Sequence, residues 1–92
     1  MIYNRKEITP QQLIDLQIKL LKESNLSVGD TVRLKGDEFS PKMVISSKSV
    51  KSKTDIFLGT DEMYIQYETQ WFNKSKQDFS TKWFVGECLQ KL

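Results

Sequence analysis

Val28-Gly29-Asp30-Thr31-Val32-Arg33-Leu34-Lys35 is the stretch on which the fold reading turns. Gly29-Asp30 supplies a tight turn, and from Thr31 the residues alternate, with Val32 and Leu34 pointing one way and Thr31, Arg33 and Lys35 the other. That is the period of a strand with one buried face. A glycine-aspartate turn feeding such a strand is how a small antiparallel barrel begins.

Working outward toward the C-terminus, residues 42–46 read as a second strand with Met43 and Ile45 inward. Residues 63–72 form the best strand signal, with Met63, Ile65, Tyr67 and Trp71 on one face and Tyr64, Gln66, Glu68, Gln70 and Phe72 on the other. A last strand at 79–85 carries Trp83 and Phe84, and Gly86-Glu87-Cys88-Leu89 reads as a closing turn that tucks Leu89 underneath. Ile56-Phe57-Leu58 before Gly59 adds a short strand. Residues 36–41 and 73–78 are turns. Residues 46–54 are rich in serine and lysine with only Val50 to bury, which predicts an extended exposed hairpin arm or a mobile loop.

Working outward toward the N-terminus, Thr9-Pro10-Gln11-Gln12 carries helix-start signals. Thr9 is a good N-cap, Pro10 takes the first helical position, and Gln12 stands where a capping-box side chain reaches back. The expected helix covers residues 8–25, with Asn25 ending it in the left-handed conformation. Its apolar residues, among them Leu13, Ile14, Leu16, Ile18, Leu20 and Leu21, spread over roughly 200° of the wheel where one packing surface takes ~100°. Either the helix lies across an open end of the barrel, covered on both flanks, or part of it is an interface, a homodimer being one form.

The sum is an α+β chain, an N-terminal amphipathic helix followed by a small antiparallel SH3-like β-barrel of about five strands. A single domain is expected over residues 1–92, with 28–92 forming the barrel. The turn and strand at Val28–Lys35, then Pro41-Lys42-Met43-Val44-Ile45, then Trp71-Phe72-Asn73 and a closing Phe79 with Leu89 resemble the YodC-like family of small bacterial proteins over residues 28–92. The resemblance implies a compact β-barrel and carries no activity or catalytic residues. The N-terminal helix, the long segment 48–62 and the tyrosine-rich strand depart from that family's pattern.

Five Phe, three Tyr and two Trp are enough aromatic mass for a folded core and exclude a disordered tail. A net charge of +2 is too small to argue by itself for nucleic acid or an anionic membrane. Cys88 is the only cysteine, so no intramolecular disulfide forms and a reducing cytoplasm is the expected location. Residues 1–7 lack the apolar core of a signal peptide, and nowhere is there an apolar stretch of ~20 residues, so a soluble protein without a membrane partner is expected.

Catalysis is not expected, nor a cofactor or a metal. The chain has no histidine, and its acids stand singly or as adjacent pairs in turns, Asp37-Glu38 and Asp61-Glu62. Cys88 has no base to activate it and reads as a small buried residue. The glycines are isolated and build no phosphate loop. A binding module remains, most simply one that contacts a protein as an adaptor, accessory subunit, or phage or mobile-element inhibitor of a larger nucleic-acid enzyme. Leu16 and Leu20 on the helix, with Tyr64 and Phe72 on the sheet, are its candidate contacts. The alternative is RNA or single-stranded nucleic acid, held by Arg33, Lys35, Lys48, Lys51 and Lys53 with Trp83 as a stacking ring.

Overall fold

The computed structural model describes residues 1–92. In chain order its elements are β1 (Ile2–Asn4), α1 (Pro10–Lys22), β2 (Thr31–Leu34), β3 (Met43–Asp55), β4 (Thr60–Asn73), β5 (Asp78–Val85), a 3₁₀ turn (Gly86–Cys88) and β6 (Leu89–Lys91). Strand makes up 49% of the chain and helix 17%, so the protein is mostly antiparallel sheet with one short helix. No helix is long and apolar enough to cross a membrane.

The expected SH3-like barrel is not formed. Neighbouring strands run β1-β4-β3-β2-β6, and β5 pairs β4 without being paired to β6, so the sheet does not close on itself. Nor is the helix an N-terminal prelude to a barrel, because β1 precedes it and pairs β4 in the register Ile2↔Glu62, Tyr3↔Asp61 and Asn4↔Thr60. The physical reason lies in what the opening motif encodes. A glycine turn and an alternating strand specify local pairing, whereas closure depends on strand length, tilt and stagger. Here the closing strand β6 is three residues long and pairs only β2.

Of the two alternatives for residues 46–54, a mobile loop and an extended hairpin arm, the structure has the arm: they are the body of β3, and the loop is not formed. Met43 and Ile45 are buried at one end and a tight turn at 56–59 reverses the chain at the other, so the intervening residues are drawn into the ladder beside β4. Backbone pairing needs no apolar side chain, and the serines and lysines occupy half-buried to exposed positions.

The chain forms two compact units, each described by itself: residues 1–24 with 49–65, and residues 25–48 with 66–92. In the first, α1 starts as its cap residues dictate. The Gln12 N–H donates to Thr9 Oγ1 at 3.2 Å, the Thr9 N–H donates to Gln12 Oε1 at 3.0 Å, and Pro10 opens the helix. The helix ends at Lys22, where the Ser24 hydroxyl donates to the Leu21 carbonyl. Asn25 does not take the expected left-handed conformation. No residue of α1 is buried. Leu13, Leu16, Leu20 and Leu21 are half-buried while Ile14 and Ile18 are exposed, so the helix is not covered on both flanks.

The second unit holds most of the core. Val32, Met43, Ile45, Tyr67 and Leu89 are at most 5% exposed, and Leu26 is buried with them. Its opening turn explains the glycine-aspartate pair. Gly29, at φ +94°, donates its N–H to the Ile45 carbonyl at 2.8 Å, and the Ile45 N–H donates back to the Asp30 carbonyl. Thr69, wholly buried, donates its hydroxyl to the Lys82 carbonyl at 2.9 Å. The 3₁₀ turn carries Leu89 into the core, while Cys88, expected to be buried, is exposed.

Candidate functional site

The β4–β5 hairpin of the second unit has an inner and an outer face. Directly opposed residues of an antiparallel pair share a face. The register therefore puts Tyr67, Thr69 and Trp71 with Phe84, Lys82 and Ser80 on one side, and Gln66, Glu68, Gln70 and Phe72 with Val85, Trp83, Thr81 and Phe79 on the other. Tyr67 and Thr69 mark the first side as the core side. On the outer side Phe72, Phe79 and Trp83 are 54%, 67% and 40% exposed. Phe72 and Phe79 meet edge to face with centroids 5.6 Å apart, a geometry the ring quadrupoles favour. Trp83 lies four residues along β5 from Phe79, about 13 Å at strand rise. Between the rings stand Gln70 and Thr81, and opposite Trp83 stands Glu68, whose Oε1 accepts from the Ser46 hydroxyl at 2.8 Å.

A second apolar feature belongs to the first unit. The turn joining β3 to β4 presents Ile56, Phe57 and Leu58, with Phe57 wholly exposed. The turn is held from three sides. Asp55 Oδ1 accepts the N–H groups of Phe57 and Leu58 at 3.0 and 3.1 Å. The Arg5 guanidinium donates to the Asp55 carbonyl at 3.5 Å, and the Arg5 N–H donates to the Gly59 carbonyl at 3.1 Å. Gly59 supplies the left-handed residue at φ +65°. Arg5 Nε also faces Asp61 Oδ1 at 3.6 Å, a charge contact, while Asp61 Oδ2 accepts from the Tyr3 hydroxyl at 3.3 Å. Burial first, then the negative Asp61 beside it, raise the Tyr3 phenol above its ordinary value.

The sequence-predicted residues do not form one surface within either unit. Arg33, Lys35, Lys48 and Trp83 belong to the second unit, Lys51 and Lys53 to the first. Arg33 is half-buried, with a buried Nε that has no hydrogen-bond partner. Of the protein-contact candidates, Leu16, Leu20 and Tyr64 are half-buried residues of the first unit and Phe72 is an exposed residue of the second. What the structure does put on one face is Phe72 and Trp83 together with Phe79, which the sequence names as the closing aromatic and not as a contact residue. Phe72-Asn73 and Asp78-Phe79 flank the turn symmetrically, and that symmetry was the available signal. For the other site it was Asp55 and Gly59 bracketing three apolar residues, a turn signature with apolar residues where polar ones are usual. Phe39, in the loop before Pro41, is also nearly bare at 95% exposed.

No group of three or more Cys, Asp or Glu side chains is placed to hold a metal. No family model matches the chain, and neither a curated protein nor a solved structure matches it.

Proposed function

We propose that this chain is a non-catalytic binding module that docks a protein partner on the outer face of the β4–β5 hairpin. The observation that carries the reading is the aromatic face, Phe72, Phe79 and Trp83 aligned on one side of a two-stranded platform and left to solvent. Large aromatic rings supply contact area at little conformational cost, and they are the side chains on which interface energy concentrates. The groups beside them favour protein over nucleic acid. Gln66, Gln70 and Thr81 are neutral and Glu68 is acidic, so a phosphate backbone laid along the rings would meet a carboxylate where it needs a cation.

The test compares the wild-type chain with a Phe79→Ser, Trp83→Ser variant in affinity capture from nuclease-treated and untreated lysate. The reading expects a protein retained at fixed stoichiometry after nuclease and lost with the variant, whose unfolding midpoint stays close to wild type because both rings are already exposed. Loss of every partner on nuclease treatment, or equal capture by the variant, overturns it.

A further inference from the structure

From the free edge of the β4–β5 hairpin we infer that the chain associates with a second copy of itself, β5 pairing antiparallel with β5 about a two-fold axis at Thr81. The inference does not rest on the reading above, since the edge lies in the plane of the sheet and pairing there leaves the outer aromatic face open. β5 pairs β4 alone and is eight residues long, whereas the other strands at an end of the sheet, β1 and β6, have three residues each. Two hydrogen bonds fix which of its main-chain groups look outward. The Lys82 carbonyl accepts from the Thr69 hydroxyl of β4 at 2.9 Å, whereas the Phe79 N–H donates to its neighbour Asp78 Oδ1 at 2.7 Å. Main-chain groups alternate along an antiparallel strand, so those of Phe79, Thr81 and Trp83 face away from β4. The usual protections of an edge are missing. The strand has no proline, its register with β4 runs without a bulge, and its one lysine, Lys82, holds its ammonium over the Phe84 ring at 5.4 Å.

The order of side chains chooses the occupant. Paired with itself about Thr81, β5 is matched from residue 78 to residue 84, with Phe79 opposite Trp83 of the second copy, Thr81 opposite Thr81, and Asp78 opposite Phe84. The outward groups of Phe79, Thr81 and Trp83 then exchange hydrogen bonds across the axis, and the Phe79 N–H passes from Asp78 to the Trp83 carbonyl of the second copy. On the outer face the opposed pairs are ring against ring and threonine against threonine, both of which stabilise a sheet. Across β4 Trp83 meets Glu68 and no ring, while Phe72 and Phe79 already meet edge to face. The pairing extends that aromatic row with the Trp83 of the other chain. On the core side the Asp78 carboxylate, released from the Phe79 N–H, arrives at the Phe84 ring that carries the Lys82 ammonium, so the two-fold makes two contacts of opposite charge. Neighbouring positions of the axis fit less well. Centred on Lys82 it opposes two ammonium groups, and centred on Ser80 it matches only residues 78–82 and parts Phe79 from Trp83. A foreign strand would have to supply this order of residues; a second copy carries it.

The experiment is sedimentation equilibrium of the purified full chain over a range of concentrations, with no other protein present. A single strand pair is a small interface, so the dimer is expected to dissociate with a constant of roughly 1–100 μM. Thr81→Pro removes an outward N–H from each copy without touching the β4 ladder, and should weaken association by about tenfold or more. Lys82→Glu and Asp78→Lys each set like charges together twice, and each alone should weaken association about fivefold. Mixed in equal amounts, these two variants should recover wild-type affinity, because both charge contacts are then of opposite sign. Unfolding midpoints close to wild type show that lost association is not lost folding. Thr81→Pro, with both rings intact, should still retain a nuclease-resistant protein, which tells failure of this inference from failure of the docking face. A wild-type chain that stays monomeric up to about 1 mM, a Thr81→Pro variant that associates undiminished, or a mixture no tighter than its components overturns the inference.

Discussion

In the unit formed by residues 25–48 and 66–92, Val32, Met43, Ile45, Tyr67 and Leu89 are turned almost wholly away from water, whereas in the unit formed by residues 1–24 and 49–65 Met63 is buried and Ile14, Ile18, Ile56, Phe57 and Leu58 are exposed. Both contain strands and both have apolar residues to spend. The second unit spends them on a core. The first is held instead by polar fastenings: the Thr9–Gln12 capping box, the Asp55 carboxylate across the turn, and Arg5 bridging to Asp55, Gly59 and Asp61. Hydrogen bonds of this kind contribute about 1 kcal/mol each and fix geometry, while buried side chains contribute roughly 1.5–3 kcal/mol each and fix stability. The difference teaches that burial of apolar side chains is concentrated in one unit while exposed apolar surface is left on both, on Phe72, Phe79 and Trp83 in the first-named and on Ile56, Phe57 and Leu58 in the other.

The strongest way to break this comparison is to truncate one isoleucine in each unit. Ile45→Ala removes a wholly buried side chain and should lower unfolding free energy by about 2–5 kcal/mol. Ile18→Ala, at an exposed helical position, should stay within about 0.5 kcal/mol. Urea unfolding measures both, and an equal cost would show that α1 has a hidden core. Next in size, Thr69→Val keeps the buried volume and strands the Lys82 carbonyl, for an expected loss of about 1–2 kcal/mol. Thr9→Ala should cost about 1 kcal/mol, read in hydrogen exchange as faster exchange of the first-turn amides of α1 with the β4–β5 amides unchanged.

The smallest effect is one of pH. The folded chain holds the Tyr3 proton more tightly than an unfolded one, whose phenol titrates near 10.0. That stabilisation is therefore fully present below about pH 10 and is lost as pH rises through the higher folded value. Tyr3→Phe should flatten the alkaline end of the stability curve. A curve that keeps its slope would place the alkaline loss elsewhere than Tyr3.

What was legible in the sequence was what neighbouring residues decide among themselves. Thr9, Pro10 and Gln12 announce the helix start because a cap is a contact three residues long. The alternation from Met63 to Phe72 announces β4 because burial of one face is written every second residue. Closure was not legible, since it depends on which distant edges meet. At residues 46–54 the sequence leaves an extended arm and a loop both open, because the side chains carry no apolar alternation while the ladder is made by the backbone. β1 is three residues without a pattern of its own, extended only because β4 offers it an edge. Of the candidate contacts, Phe72 and Trp83 were visible as outward-facing rings. Phe79 required the hairpin register, and Ile56-Phe57-Leu58 were read as strand because apolar residues in a turn contradict the usual rule.

The turn between β4 and β5 leads from Asn73 to Asp78 by way of Gln77, a non-glycine residue held at φ 52°. Substitution there has room to improve matters, because glycine or asparagine accepts that conformation more readily. Length is another matter. A slip of one residue in β5 would exchange the side that carries Phe79 and Trp83 for the side that faces the core. Through descent or engineering, this hairpin should accept changes of letter far more readily than insertions or deletions, and gap placement among related chains would be the trace of that constraint.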